Sequence, residues 1–207
     1  MTTHCRPFVP MATVIPEGRA GDFAVEHFTV GNDMQFRAIL HPHEYVQPGV
    51  YARLVHGRHL LMSDTQHEQR TNIDAVLSSR QGHVLIGGLG LGMILIPLLR
   101  NPKVRSVTVI EKHPEVVQLV EAPLRAFVKR TASRKLTIVL GDVATWAPVE
   151  TPLFDYIYFD IWANTSTDCL ALMNTLHRRY RRLRHPAGTV TSWKYDELKR
   201  RRRQERP

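Results

Sequence analysis

The chain has 207 residues, enough for one domain and a small appendage, and 43% of them are apolar, which suffices for a core. Its net charge of +9 is unevenly placed: residues 177–207 hold 12 Lys or Arg against 3 acids, while the rest balances at 16 against 16. A neutral body with one basic end argues against a fold coated in nucleic acid, and no stretch reads as a membrane span. The most apolar segment, Val84–Leu99, is shorter than the roughly 20 residues required and is broken by glycine. The N-terminus lacks a basic start followed by a continuous apolar run, so a secretion signal is not expected. Cys5 and Cys169 show neither metal spacing nor a disulfide framework, which fits a reducing, cytoplasmic compartment.

Residues 1–21 read as a loose arm, interrupted by Pro7, Pro10, Pro16 and Gly18. Short β-like runs follow at Phe23–Val30, Gln35–Leu40, Val50–His56 and His59–Met62, separated by turn residues and read as a small antiparallel sheet or pair of hairpins. Asp64–Ser79 reads as a helix, with Asp64 or Thr65 as cap, Glu68 placed for a capping box, and Ile73, Val76 and Leu77 on its apolar side. Val84–Ile86 is a strand leading into Gly87, Gly88, Gly90 and Gly92. Met93–Leu99 opens a helix, and Val107–Ile110 is a second strand ending on the acid Glu111. Pro114–Lys129 is a helix with Pro114 in its first turn and Pro123 expected to break or kink it. Leu136–Leu140 is a strand closing on Gly141-Asp142, and Asp155–Ile161 another with Asp160 at its carboxyl end. A helix over Asp168–Tyr180 and a strand over Thr189–Trp193 complete the pattern, and the last dozen residues read as a solvated, disordered tail.

Alternating strands and helices predict an α/β fold with a doubly wound, mostly parallel sheet, shortened at the C-terminus and preceded by a small β-rich region. The expected division is an arm and β-rich region over 1–63, a Rossmann-like domain over 64–195 and a basic tail over 196–207. Ligands of such sheets bind outside the carboxyl ends of the strands. Four strands here end on the glycine turn, Glu111, Asp142 and Asp160, so one rule gathers three acids and a bare backbone loop at one edge. The order strand, glycine turn, helix, strand, acid suits a nucleoside-type ligand. Glycines let the ligand approach the backbone, the helix start offers N–H groups, and the acid accepts from a ribose diol. Counted from Gly88, the dinucleotide pattern G-x-G-x-x-G would need a glycine or alanine where Met93 stands. Counted from Gly88 through Gly92, the loop reads G-x-G-x-G.

These segments resemble the class I S-adenosylmethionine-dependent methyltransferases, and within them the spermidine synthase-like branch. The carriers are VLIGGLGLG, VTVIEKHPEVVQLV, LTIVLGD and DYIYFDIW, and the resemblance spans about Leu61 to Trp162, roughly half of the chain. The resemblance implies that Gly88, Gly90 and Gly92 face the methionine part of S-adenosylmethionine. It further implies that Glu111, followed by Lys112, accepts the ribose hydroxyls, that Asp142 and Val143 hold adenine, and that Asp160 is the catalytic acid beside the sulfonium. Tyr158 and Trp162 are candidates for shaping the acceptor pocket. A small-molecule acceptor is expected, and a homodimer stays open.

One departure weighs against aminopropyl transfer: Ala163 stands where that branch carries a second, amine-holding Asp, and QHEQRTNIDAV matches its amine-side segment only loosely, with Glu68 as stand-in. Two other readings stay beside methyl transfer. One is a nucleic-acid-linked function through Arg178–Arg184 and Lys199–Arg203, with Trp193 and Tyr195 between them, although no Asn-Pro-Pro-Tyr acceptor motif is present. The other is a cofactor-binding fold without catalysis. The histidines show no H-E-x-x-H spacing, and no metal site is expected.

Overall fold

The structure is a computed structural model and describes residues 7–31, 46–79, 81–148, 153–162 and 166–205. Its centre is a five-stranded parallel sheet of β5 (Gly82–Gly87), β6 (Val104–Glu111), β7 (Leu136–Leu140), β8 (Phe154–Phe159) and β9 (Arg184–Ser192), in the order β7-β6-β5-β8-β9. Val84, Leu85 and Ile86 are wholly buried because both faces of β5 are covered. Val84 and Ile86 join one apolar cluster with Val107, Val109, Tyr156 and Tyr158. Leu85 points the other way and joins Ile110, Ile157 and Phe159.

The helices are α1 (Gln66–Ser79), α2 (Leu95–Arg100), α3 (Pro114–Phe127), α4 (Lys129–Ser133), α5 (Cys169–Tyr180) and α6 (Tyr195–Gln204). From β5 the chain steps outward through α2 to β6 and through α3 and α4 to β7, then crosses back to place β8 on the other side of β5. Strand order therefore reverses between β5 and β8, and the loops after these two strands flank the switch point. Ahead of this domain, β1 (Gly18–Ala20), β2 (Phe23–Val30), β3 (Gly49–His56) and β4 (His59–Ser63) form an antiparallel sheet in sequential order. Phe23, Val25 and Leu54 from it share the cluster of Val84 and Ile86, so it packs on the α2–α3 side. The expected strand Gln35–Leu40 lies outside the described residues.

Four local expectations are corrected. From residue 7 onward the arm is not loose: Met11–Thr13 forms a 3-10 turn, Met11 and Ile15 are fully buried, and β1 lies within it. Asp64 does not cap α1. Its carboxylate is fully buried and accepts the backbone N–H of Met11 at 2.6 Å and of Ala52 at 2.7 Å, fastening the arm to β3. Pro123 does not break α3, because Val116, Val120 and Leu124, spaced on one buried stripe around it, hold the helix together through Phe127. The interruption comes at Lys129, whose φ is +65°.

The fourth correction concerns the basic end. Residues 195–204 are helical, with Asp196 and Glu197 in the first turn and Arg201, Arg202 and Arg203 in the last, the charge order that complements the helix dipole. Leu198 is fully buried against Leu170 and Met173 of α5, so this helix is docked rather than a disordered tail. The strand before it is also longer than expected. β9 accommodates Pro186 because it lies at the sheet edge, and the Arg184 guanidinium donates to the carbonyls of His185, Pro186 and Gly188.

Candidate functional site

Outside the carboxyl ends of the parallel strands lies a cavity of about 480 Å³. Gly88, Gly90, Glu111, Lys112, Asp142, Val143 and Asp160 all line it. Gly92 does not. Its φ is +73°, and a Cβ there would sit 3.2 Å from Leu124, so this glycine serves the turn and the close packing of α3.

The loop geometry explains the other two glycines. Gly88 has φ +96°, and a Cβ would run into the carbonyl oxygen of Asp160, so the loops after β5 and β8 touch only because this residue is bare. Gly90 has φ +51°, and a Cβ there would strike Sδ of Met62, which also accepts the Leu91 N–H at 3.1 Å. Met62, from β4, thus brings the N-terminal sheet onto the glycine loop.

Glu111 is 6% exposed. One carboxylate oxygen accepts the Leu89 N–H at 2.7 Å, tying the glycine loop to the end of β6, and the other accepts the His113 N–H at 2.8 Å. A carboxylate has about four acceptor positions, so two backbone bonds leave capacity for a diol. Beyond it, Asp142 accepts the Ala144 N–H at 2.8 Å and pairs with Lys112 at 2.9 Å; these two contacts, in that order, hold its pKa below the ordinary value. Val143, almost wholly buried, supplies an apolar surface next to this polar pair.

At the other end, burial and then the neighbouring Glu68 carboxylate push the Asp160 pKa up to about 7. Glu68 also lines the cavity, and burial raises its pKa against the pull of Lys194. Its turn is pinned on two sides. Tyr158 Oη donates to Asn72 at 3.0 Å, and Asn72 donates to the Glu68 carbonyl at 3.2 Å. Trp193 Nε1 donates to Thr71 at 3.1 Å, and Thr71 donates to the same carbonyl at 3.0 Å. Trp162 and Trp193 are both on the cavity wall. Tyr158 is not; its hydroxyl is spent behind the wall.

Glu68 reads in the sequence as a capping-box residue or a stand-in for an amine-side acid, and Met62, Phe23, Leu54 and Trp193 carry no sequence signal for the cavity they line. Nothing local marks them, because they arrive from the N-terminal sheet and the end of β9. The positions of Ala163 and Asn164 lie outside the described residues. Among the described residues, no three His, Cys, Asp or Glu side chains are grouped to hold a metal ion.

Asp142, Glu111, the glycine loop and Asp160 follow β7, β6, β5 and β8, four neighbouring strands in that order. Three steps of about 4.8 Å put the two ends of the site roughly 14 Å apart. This length suits a nucleoside carrying an extended polar chain, with one acid at its middle and one at each end.

No protein-family model matches the sequence, and no curated protein matches it. Solved structures do. It is similar to TomG, an O-methyltransferase from Streptomyces achromogenes in complex with SAM, at 18% identity over 64% of this chain and 56% of that one, with a TM-score of 0.45. It is similar to the CcbJ methyltransferase from Streptomyces caelestis at 19% identity over 59% and 47%, TM-score 0.43. It is similar to CalS10, an amino pentose methyltransferase from Micromonospora echinaspora with SAM bound, at 19% over 61% and 49%, TM-score 0.42. The chain spans about half the length of these structures.

Proposed function

We propose that the cavity binds S-adenosylmethionine and that the chain transfers its methyl group to an acceptor held at the Asp160 end. The observation that carries this reading is the linear order of Asp142, Glu111, the glycine loop and Asp160 along one cavity edge. In this arrangement Lys112, Asp142 and Val143 take the adenine, Glu111 the ribose diol, and the bare backbone at Gly88 and Gly90 the methionine part. Bound there, S-adenosylmethionine supplies a methyl carbon already activated by a sulfonium. The residues of the chain then have alignment as their main task, and alignment alone supplies several kcal/mol of a barrier of this kind. Asp160, with its pKa near neutrality, is poised to accept a proton from an acceptor nitrogen or oxygen at physiological pH.

A second reading, transfer of an aminopropyl group to a cationic amine, is favoured by one observation: Glu68 and Asp160 put two carboxylates on the acceptor side. Calorimetric titration with S-adenosylmethionine, its decarboxylated form and NAD separates the readings, with Glu111→Ala as control. Binding of the first, lost in the control, is the expected result. Preference for the decarboxylated form would transfer the assignment to the second reading. Binding of none would overturn both.

A further inference from the structure

The basic residues of the C-terminal end fall into two groups that the fold sets apart. Helix α6 runs antiparallel to α5: Tyr195 Oη donates to Asn174 at 2.7 Å, and one turn later Leu198 packs on Leu170 and Met173. It therefore heads toward the start of α5, the end nearest the carboxyl edge of the sheet where the cavity opens. Arg178, Arg181 and Arg182 stand exposed at the opposite end of α5. Two further arginines of that group are structural: Arg179 donates to the carbonyls of Thr145 and Trp146, and Arg184 to those of its own strand.

The residues that lead into α6 border the cavity. Trp193 lines it, and Lys194, in the left-handed region with φ +52°, lays its ammonium 4.8 Å from the centre of the Trp193 ring. Its charge acts on Glu68 and on His67, and Glu197 acts on His67 as well, which places this turn against the start of α1. The next turns carry Lys199 and four consecutive arginines. Arg201 pairs with Glu197 at 3.1 Å, while Arg200, Arg202 and Arg203 stand exposed. At 1.5 Å per residue these lie about 9–14 Å along the helix from Lys194.

We propose that α6 is a docking rail for the phosphates of a single-stranded nucleic acid, which presents one base to the cavity as the methyl acceptor. This rests on the methyl-transfer reading above. Arginines at consecutive positions point all around a helix, and the one leucine of α6 is buried, so the helix has no apolar face to lay on a lipid surface. Guanidinium forks suit phosphate oxygens. The cavity beside the rail has what an unstacked base requires: Trp162 and Trp193 on its wall, and two carboxyl groups to meet its polar edge. In the reaction, a nitrogen of the base forms a bond to the methyl carbon as the carbon–sulfur bond breaks. The electron pair of that bond stays on sulfur, and the proton released by the nitrogen passes to the Asp160 carboxylate.

The test uses the full chain and fluorescently labelled single-stranded RNA and DNA, with affinity read by anisotropy between about 50 and 200 mM salt. A triple variant, Arg200→Gln, Arg202→Gln and Arg203→Gln, is compared with Arg178→Gln, Arg181→Gln and Arg182→Gln, both checked for folding by circular dichroism. Each phosphate contact on a single strand contributes about 0.7 to the salt slope, so three contacts account for about a 20-fold loss of affinity over that interval. The α6 triple is expected to lose that salt sensitivity and to bind at least tenfold more weakly at low salt, with the α5 triple within about twofold of the parent. Label from S-adenosylmethionine tritiated on the methyl group is expected on the strand with the parent and to fall tenfold with the α6 triple at limiting strand. Equal losses in both triples, equal binding of phosphatidylserine vesicles through the same arginines, or strand binding without label transfer would overturn the proposal. Calorimetry with S-adenosylmethionine alone separates the two levels. Strand binding that depends on α6 without cofactor binding sinks the methyl-transfer reading, and cofactor binding without strand binding sinks the rail.

Discussion

Replacing Asp160 by Asn removes the one group of the cavity whose charge is most opposed by its surroundings. The Asp160 carboxyl has a pKa of about 7 in the folded chain against 3.8 as the ordinary value. A raised carboxyl pKa means that the folded state holds its proton more tightly than the unfolded state. Stability from this group is thus fully present below pH 4 and is lost as pH rises toward 7. Three pH units at 1.36 kcal/mol each come to about 4 kcal/mol. Water reaching the carboxyl through the cavity mouth brings the realised difference to about 2–4 kcal/mol. The Asn variant has no such loss. Urea unfolding of parent and Asp160→Asn at steps from pH 4 to pH 8 should show their stabilities diverging by about 2–4 kcal/mol, the variant being the more stable above pH 7. Transfer activity of the parent should rise through the same interval as the carboxylate ionises. A difference between the two proteins that stays flat within about 0.5 kcal/mol across that range would refute the reasoning, since it would mean that Asp160 is not a desolvated acid beside Glu68.

Two other substitutions test the frame of the site. Gly88→Ala forces a side chain into a left-handed backbone and onto the Asp160 carbonyl, and is expected to cost about 2–4 kcal/mol and to abolish cofactor binding. Gly57→Ala, also left-handed with φ +57° but with nothing within 4 Å, should cost only about 1 kcal/mol, so equal losses would show that crowding at Gly88 is not the cause. Asp64→Ala orphans the buried N–H groups of Met11 and Ala52 and is expected to lower stability by about 2–5 kcal/mol in urea unfolding. A loss below about 1 kcal/mol would mean that the arm is not held by this carboxylate.

The amino-acid sequence by itself determined the strand-end half of the cavity. Periodicity and turn chemistry are local, and in a parallel sheet they carry position as well as type: whatever follows a strand stands at the ligand edge. Gly88, Gly90, Glu111, Lys112, Asp142, Val143 and Asp160 could be named in this way, and all of them line the cavity. Gly92 escaped the rule because its bare backbone faces Leu124, and only packing reveals which side of a glycine is crowded. The opposite wall of the cavity was decided by tertiary structure. Asp64 and Glu68 read as helix-start residues, since a carboxylate near a helix start has an ordinary local use. One became a buried fastener and the other a wall of the cavity only once β3, β8 and β9 were brought against them. The same holds for the basic end, where composition alone describes a solvated run. One leucine, Leu198, finding Leu170 and Met173 some 25 residues away in sequence, turns it into a helix beside the cavity mouth. Long-range burial, not propensity, placed it there.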